Sequence, residues 1–149
     1  MKKKHFLTLI IIICSILGIL ASLKLIAIDQ AAKDPLSLLQ PCDINDVFSC
    51  SKVSQSEYSS TFGISNAVLG VIGYGLIFIM SFVHFLKRYT LKSIPTLLGI
   101  IHIGALGFSL YLTGLELFVI HAYCLYCLSS QAIILISSIT TLMLYRIKN

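Results

Sequence analysis

Four long apolar runs constrain this chain more than any other feature it carries. They occupy residues 6–28, 64–86, 95–120 and 123–145, and each suffices to cross a ~30 Å hydrocarbon core, which takes ~20 apolar residues in a helix. In lipid a backbone has to satisfy its own hydrogen bonds, so four such runs predict an all-α integral membrane protein, a four-helix bundle. An extracytoplasmic loop, 29–63, separates the first two spans, and a short inner loop, 87–94, separates the next two. Little of the 149 residues remains for anything else, so 1–149 reads as a single membrane domain. Composition agrees, because only 11% of the residues are charged and 57% are apolar, whereas about a quarter are charged in ordinary soluble domains.

Lys2, Lys3 and Lys4 ahead of an apolar run also resemble the start of a secretory signal peptide. The run exceeds the roughly 7–15 residues of a signal core, and no small-x-small cleavage site follows cleanly, so a retained first helix is expected.

Basic residues set the expected orientation, since Lys and Arg collect on the cytoplasmic side. With both termini cytoplasmic, Lys2, Lys3, Lys4, Lys87, Arg88, Lys92, Arg146 and Lys148 all lie inside, leaving Lys24, Lys33 and Lys52 towards the other face. The acids, Asp29, Asp34, Asp43, Asp46, Glu57 and Glu116, fall in the outer loop or near the outer helix ends. The net charge of +5 is then accounted for by insertion and by contact with anionic headgroups, with no nucleic acid as partner.

On that map Cys42 and Cys50 lie in the outer loop, and Cys124 and Cys127 lie where the fourth span begins. Cys14 alone is mid-membrane and reads as a small buried hydrophobe. The outer face is the compartment in which disulfides form and persist. Residues three apart share a helix face, and a first helical turn stabilises a thiolate, so the Cys124-Leu125-Tyr126-Cys127 run is placed to be reactive, its first sulfur most of all. It also meets the bilayer rim, within reach of a lipid-soluble oxidant. Cys42 and Cys50, on a polar loop, offer a route from that pair to soluble thiols. Two other readings stay open at this point: structural disulfides, and a four-thiolate zinc site. A Cys-x-x-Cys bridge on a regular helix is awkward and labile, and the long outer spacing departs from that of structural zinc sites.

Taken together the motifs resemble the vitamin K epoxide reductase family, in its bacterial form acting in disulfide bond formation. The resemblance is carried by Cys42-Asp43, by Ser49-Cys50-Ser51-Lys52-Val53, by Phe62-Gly63-Ile64-Ser65-Asn66-Ala67-Val68-Leu69-Gly70 and by Cys124-x-x-Cys127, in order along all four helices. It implies a quinone-dependent thiol oxidoreductase. Cys42 would meet a thioredoxin-fold, DsbA-like partner, Cys50 would exchange with Cys124, and Cys127 would stand beside a membrane quinone of the ubiquinone, menaquinone or vitamin K type. Asn66 matches an asparagine that hydrogen-bonds a quinone carbonyl. Animal members place a tyrosine where this chain has Gln131, which also donates. Some members carry the partner fused at the carboxyl end; here a separate partner is expected. The bacterial inner membrane is the implied location. Two other outcomes are reduction of vitamin K epoxide by the same cysteines and a scaffold whose cysteines are only structural.

Asn66 and Gln131 are expected within about two turns of the outer surface. Phe62, Phe118 and Tyr123 are candidate walls for a quinone ring, and Glu116, an acid inside a span, is a candidate for a proton role. The glycines at 70, 73, 75, 104 and 107 are expected to bring helices close together. His121 reads as an interfacial residue, and His84 and His102 read as neutral and hydrogen-bonded.

Overall fold

A computed structural model describes residues 2–33, 43–45, 47–61, 63–86 and 93–148. Helix α1 spans Lys2–Lys33, α2 Cys50–Gln55, α3 Asn66–Leu86, α4 Ile94–Leu115 and α5 Leu125–Lys148. A single 3-10 turn, Glu57–Ser59, and a two-stranded antiparallel hairpin, β1 Ser60–Thr61 and β2 Ile64–Ser65, link α2 to α3. A wider π turn, Glu116–Ile120, continues α4 towards α5.

Four of the helices are long and apolar enough to cross a membrane, with mean hydropathies of 2.8, 2.1, 1.8 and 1.7 in chain order. The protein is a multi-pass membrane protein. Outward-facing Ile100, Ile103, Leu110 and Phe118 are more than half exposed in the isolated chain, as lipid-facing side chains are in a bundle whose solvent is hydrocarbon. Helix α1 packs mainly on α3 and α5, and α4 mainly on α5. Ile11, Tyr74, Ile77, Leu98, Ile134 and Leu144 form the centre of that packing.

Hydroxyls inside the spans bond back to their own helices. Thr8 donates to Lys4 O, Thr113 to Ser109 O and Thr141 to Ser137 O, at 2.9 Å each, so a polar group enters lipid without an open bond. His102 ties α4 to α5. Its Nδ1 lies 2.8 Å from Leu98 O and its Nε2 2.8 Å from the Ser137 hydroxyl. A carbonyl only accepts, so Nδ1 carries the proton and Nε2 accepts from Ser137.

Close helix approach occurs at two glycines. A Cβ at Gly18 would run into the Tyr74 ring, and one at Gly70 would stand 2.6 Å from Ser22 Oγ. Tyr74 cannot easily yield, because its hydroxyl donates to Ser130 O at 2.8 Å and lies 3.0 Å from Ser130 Oγ. Gly18→Ala is therefore expected to destabilise the bundle by about 1–3 kcal/mol, the usual cost of overpacking, read by thermal unfolding in detergent. The expectation for the other glycines is corrected. At Gly73, Gly75, Gly104 and Gly107 an added Cβ would meet nothing within 4 Å, and Gly73 and Gly104 instead leave room in the cavity described below.

Helices α3 and α5 begin at Asn66 and Leu125 because the residues ahead of each have other partners. Ile64 pairs with Thr61 and Ser65 with Ser60 in the hairpin, whose turn includes Gly63 at φ 78°, a left-handed value that suits glycine. Tyr123 forms a parallel bridge with Phe48. The termini of α1 and α5 meet at the opposite end of the bundle, where Lys3, Phe6, Leu7, Met143, Arg146 and Ile147 line a shared depression.

Candidate active site at the mouth of the bundle

The segment before α2 folds on its own side chains. Asn45 Oδ1 accepts from the N–H groups of Val47 at 3.1 Å and Phe48 at 2.8 Å, the self-bonded turn that asparagine favours. Ser49 donates to Asp43 Oδ1 at 2.9 Å and caps α2 by accepting from Lys52 N–H at 3.3 Å. Tyr123 N–H donates to Val47 O at 2.7 Å, and Ser49 N–H donates to Tyr123 O at 3.1 Å. That short bridge ties the residue before Cys50 to the residue before Cys124. The two sulfurs are thereby brought to 3.1 Å, although 74 residues separate them in the chain.

Both cysteines are almost wholly buried, at 1% exposure, beneath Ile28 and the half-buried Leu25, Val53 and Tyr126. Cys50 is disulfide-bonded, and Cys14, Cys124 and Cys127 are free thiols. Cys124 stands immediately before α5, with Leu128 N–H bonded to its carbonyl at 2.9 Å, so it occupies the capping position. The Cys127 thiol and the N–H groups of Cys127 and Tyr126 lie beside its sulfur. These neighbours, Cys127 foremost, hold the Cys124 thiol below its ordinary value, against burial and the nearby Glu116 carboxylate. A thiol so placed is readily made a thiolate, the nucleophile of disulfide exchange.

Behind the sulfurs lies a cavity of about 460 Å³ between α1, α3, α4 and α5. Cys50, Cys124, Cys127, Asn66, Gln131 and Glu116 all reach it. Asn66 is oriented by the loop: its Oδ1 accepts from the Thr61 hydroxyl and its Nδ2 donates to Tyr58 O, both at 2.7 Å. An amide nitrogen carries two hydrogens, so one N–H remains for a ligand. Glu116 is 2% exposed. Its carboxylate lies beside the Cys127 thiol and the Cys124 backbone N–H, while Oε2 is buried with no hydrogen-bond partner.

A model of the vitamin K epoxide reductase family matches residues 9–142. The chain belongs to this family. No curated protein matches it. Family membership makes the protein a membrane oxidoreductase, of a class that is in general quinone-linked.

Not every candidate vitamin K epoxide reductase residue reaches the cavity. Phe118 faces outward at 76% exposure, and Tyr123 packs on Phe48, ring centroids 5.9 Å apart. Neither is among the cavity residues. The reason is helical phase: the π turn aims Glu116 inward, and a residue two positions on points elsewhere. Cys42 and Phe62 lie outside the described residues. His121 is exposed and in the left-handed region, φ 53°, where it ends the π turn. Tyr74, a residue outside the sequence-based candidates, also lines the cavity. Its signal was a lone tyrosine deep in a span, away from the interfaces that favour that residue.

Proposed function

We propose that the protein is a quinone-dependent thiol oxidoreductase that reoxidises a separate thioredoxin-fold, DsbA-like protein and so supports disulfide bond formation, at the bacterial inner membrane. The cysteine pairs face the extracytoplasmic side and both termini the cytoplasm, in keeping with the basic residues at the opposite end. The contact that carries this reading is the 3.1 Å approach of Cys124 Sγ to Cys50 Sγ, with the free Cys127 thiol beside Cys124 and reaching the cavity.

Cys42 and Cys50 form the outer disulfide. A partner thiolate attacks Cys42, forming a mixed disulfide and releasing Cys50 as a thiolate; the partner's second thiol then resolves it. Cys50 attacks the Cys124–Cys127 disulfide at Cys124, and Cys127 leaves as a thiolate. Cys42 next attacks Cys50, restoring the outer disulfide and releasing Cys124. The inner pair is now reduced, next to the cavity. A quinone bound there would supply the acceptor for the two electrons and two protons released as the two thiols become one disulfide. Reoxidising a strongly oxidising partner near about −120 mV requires an acceptor of higher potential, and respiratory quinones meet that need.

The residues present suit such a ring. The cavity falls in the range of roughly 300–1,000 Å³ typical of small-molecule sites, apolar with a few directed polar groups. Leu69, Ile101, Ala105 and Leu112 provide apolar walls. Asn66 and Gln131 are the donors for its carbonyl oxygens. Asn66→Ala is expected to weaken quinone use by about 1–3 kcal/mol, the cost of a lost buried bond, measured as a fall in kcat/KM for quinone with partner oxidation held saturating. Unchanged kinetics would remove Asn66 from the site.

Purified protein in liposomes, mixed with a reduced thioredoxin-fold protein, tests the reading. Quinone reduction coupled to partner oxidation supports it. Turnover of vitamin K epoxide in preference to quinone would assign the same cysteines to epoxide reduction, and inertness towards both would leave a scaffold.

A further inference from the structure

Glu116 is more deeply buried than any role as a membrane anchor requires. A carboxylate inside a span that merely snorkels to the headgroups keeps its oxygens in water. This one is 2% exposed, faces the cavity, and leaves Oε2 without a partner. Burying a carboxylate is costly unless it is compensated or protonated. Its remaining contacts are the Cys127 thiol and the Cys124 backbone N–H.

The Cys127 thiol has one proton and two acceptors within reach, Cys124 Sγ and the Glu116 carboxylate. Sulfur and carboxylate thus form one line, from Glu116 through Cys127 and Cys124 to Cys50. The outer contact exchanges sulfur bonds. The inner end has a different task, because closing the Cys124–Cys127 disulfide must dispose of protons in a cavity with mostly apolar walls.

We propose that Glu116 is a catalytic proton carrier, taking the proton from Cys127 Sγ as the inner disulfide closes and delivering it into the cavity from Oε2. The inference rests on the proposed quinone reaction. The Cys127 S–H bond breaks, its electron pair stays on sulfur, and the proton passes to the carboxylate. Overall the two inner thiols become one disulfide, and two electrons and two protons pass to the quinone. Glu116 gives up its proton in the same turnover and ends as it began. The π turn at Glu116–Ile120 places the carboxylate for this, as such turns often do at functional sites.

Glu116→Gln tests the idea, since glutamine keeps the shape and an acceptor oxygen for Cys124 N–H yet takes up no proton. Rapid-mixing oxidation of the pre-reduced inner pair by a short-chain quinone should slow by about 10²-fold, the lower end for a lost general acid–base group. Glu116→Asp should recover part of the rate. Trapping of the Cys50–Cys124 disulfide should be unaffected in both variants, which establishes that the fold is intact. Infrared spectroscopy without quinone gives a second readout. Glu57 and Glu116 are the only glutamates, so carbon-13 glutamate in a Glu57→Gln chain labels Glu116 alone. Closing the inner disulfide removes the Cys127 S–H from beside the carboxylate, so the labelled carboxylate band should shift in the reduced-minus-oxidised difference spectrum. A Glu116→Gln chain that oxidises at the full rate, or a spectrum without that shift, overturns the proposal. If the unsubstituted protein passes no electrons to quinone, the parent reading fails instead.

Discussion

Cys127→Ser should reduce quinone turnover to background, a loss on the order of 10³-fold or more, as expected when one member of a reacting unit is removed. The inner disulfide cannot form without its second sulfur. Serine retains a donor to Cys124 Sγ, so the geometry of the capping position survives and the loss is chemical. In the proposed relay Cys124 is then left with a single route, attack on Cys50, which breaks the outer disulfide and forms a Cys50–Cys124 bond that nothing resolves towards the cavity. Cys14→Ala is the control. Cys14 is a buried free thiol on α1, outside the cavity, and its replacement should leave turnover intact.

Cys42→Ala should separate two functions that the intact protein joins. With the protein partner as reductant, turnover should fall to background, because in the proposed relay the partner meets the outer disulfide at Cys42. With dithiothreitol, turnover should persist within about tenfold, because a small thiol can reduce the inner pair without the loop and the chemistry at Cys127 is untouched. The measurement is quinone absorbance with each reductant in turn. Normal oxidation of the protein partner by the Cys42→Ala chain would remove Cys42 from the relay.

Much of this was legible in the residues. The four spans follow from apolar length, which lipid enforces more strictly than water enforces any soluble pattern. The cysteine spacing and the Phe62-to-Gly70 motif pointed to the family. Asn66, Gln131 and Glu116 were placed near the mouth by counting turns, and all three reach the cavity. What could not be read was phase and tertiary contact. Phe118 lies two residues from Glu116 and so falls on the opposite side of the turn, facing outward, once Glu116 is aimed inward. Tyr123 is taken up by backbone pairing with the Cys50 loop, a long-range contact that no local pattern announces. Gly73 and Gly104 have the composition of packing residues, and only the positions of the neighbouring helices show that they open space. Tyr74 was hidden for the same reason, since its role depends on Gly18 across α1 and Ser130 across α5.

The central claim is that the sulfurs of Cys50 and Cys124 touch and exchange a bond. In a chain carrying Cys14→Ala, Cys42→Ala and Cys127→Ala only those two thiols remain, and mild oxidation in liposomes followed by maleimide quenching and peptide mass spectrometry reports whether they join. Near-complete formation of an intramolecular Cys50–Cys124 disulfide is predicted. Two freely alkylated thiols, or disulfides only between chains, would contradict the account.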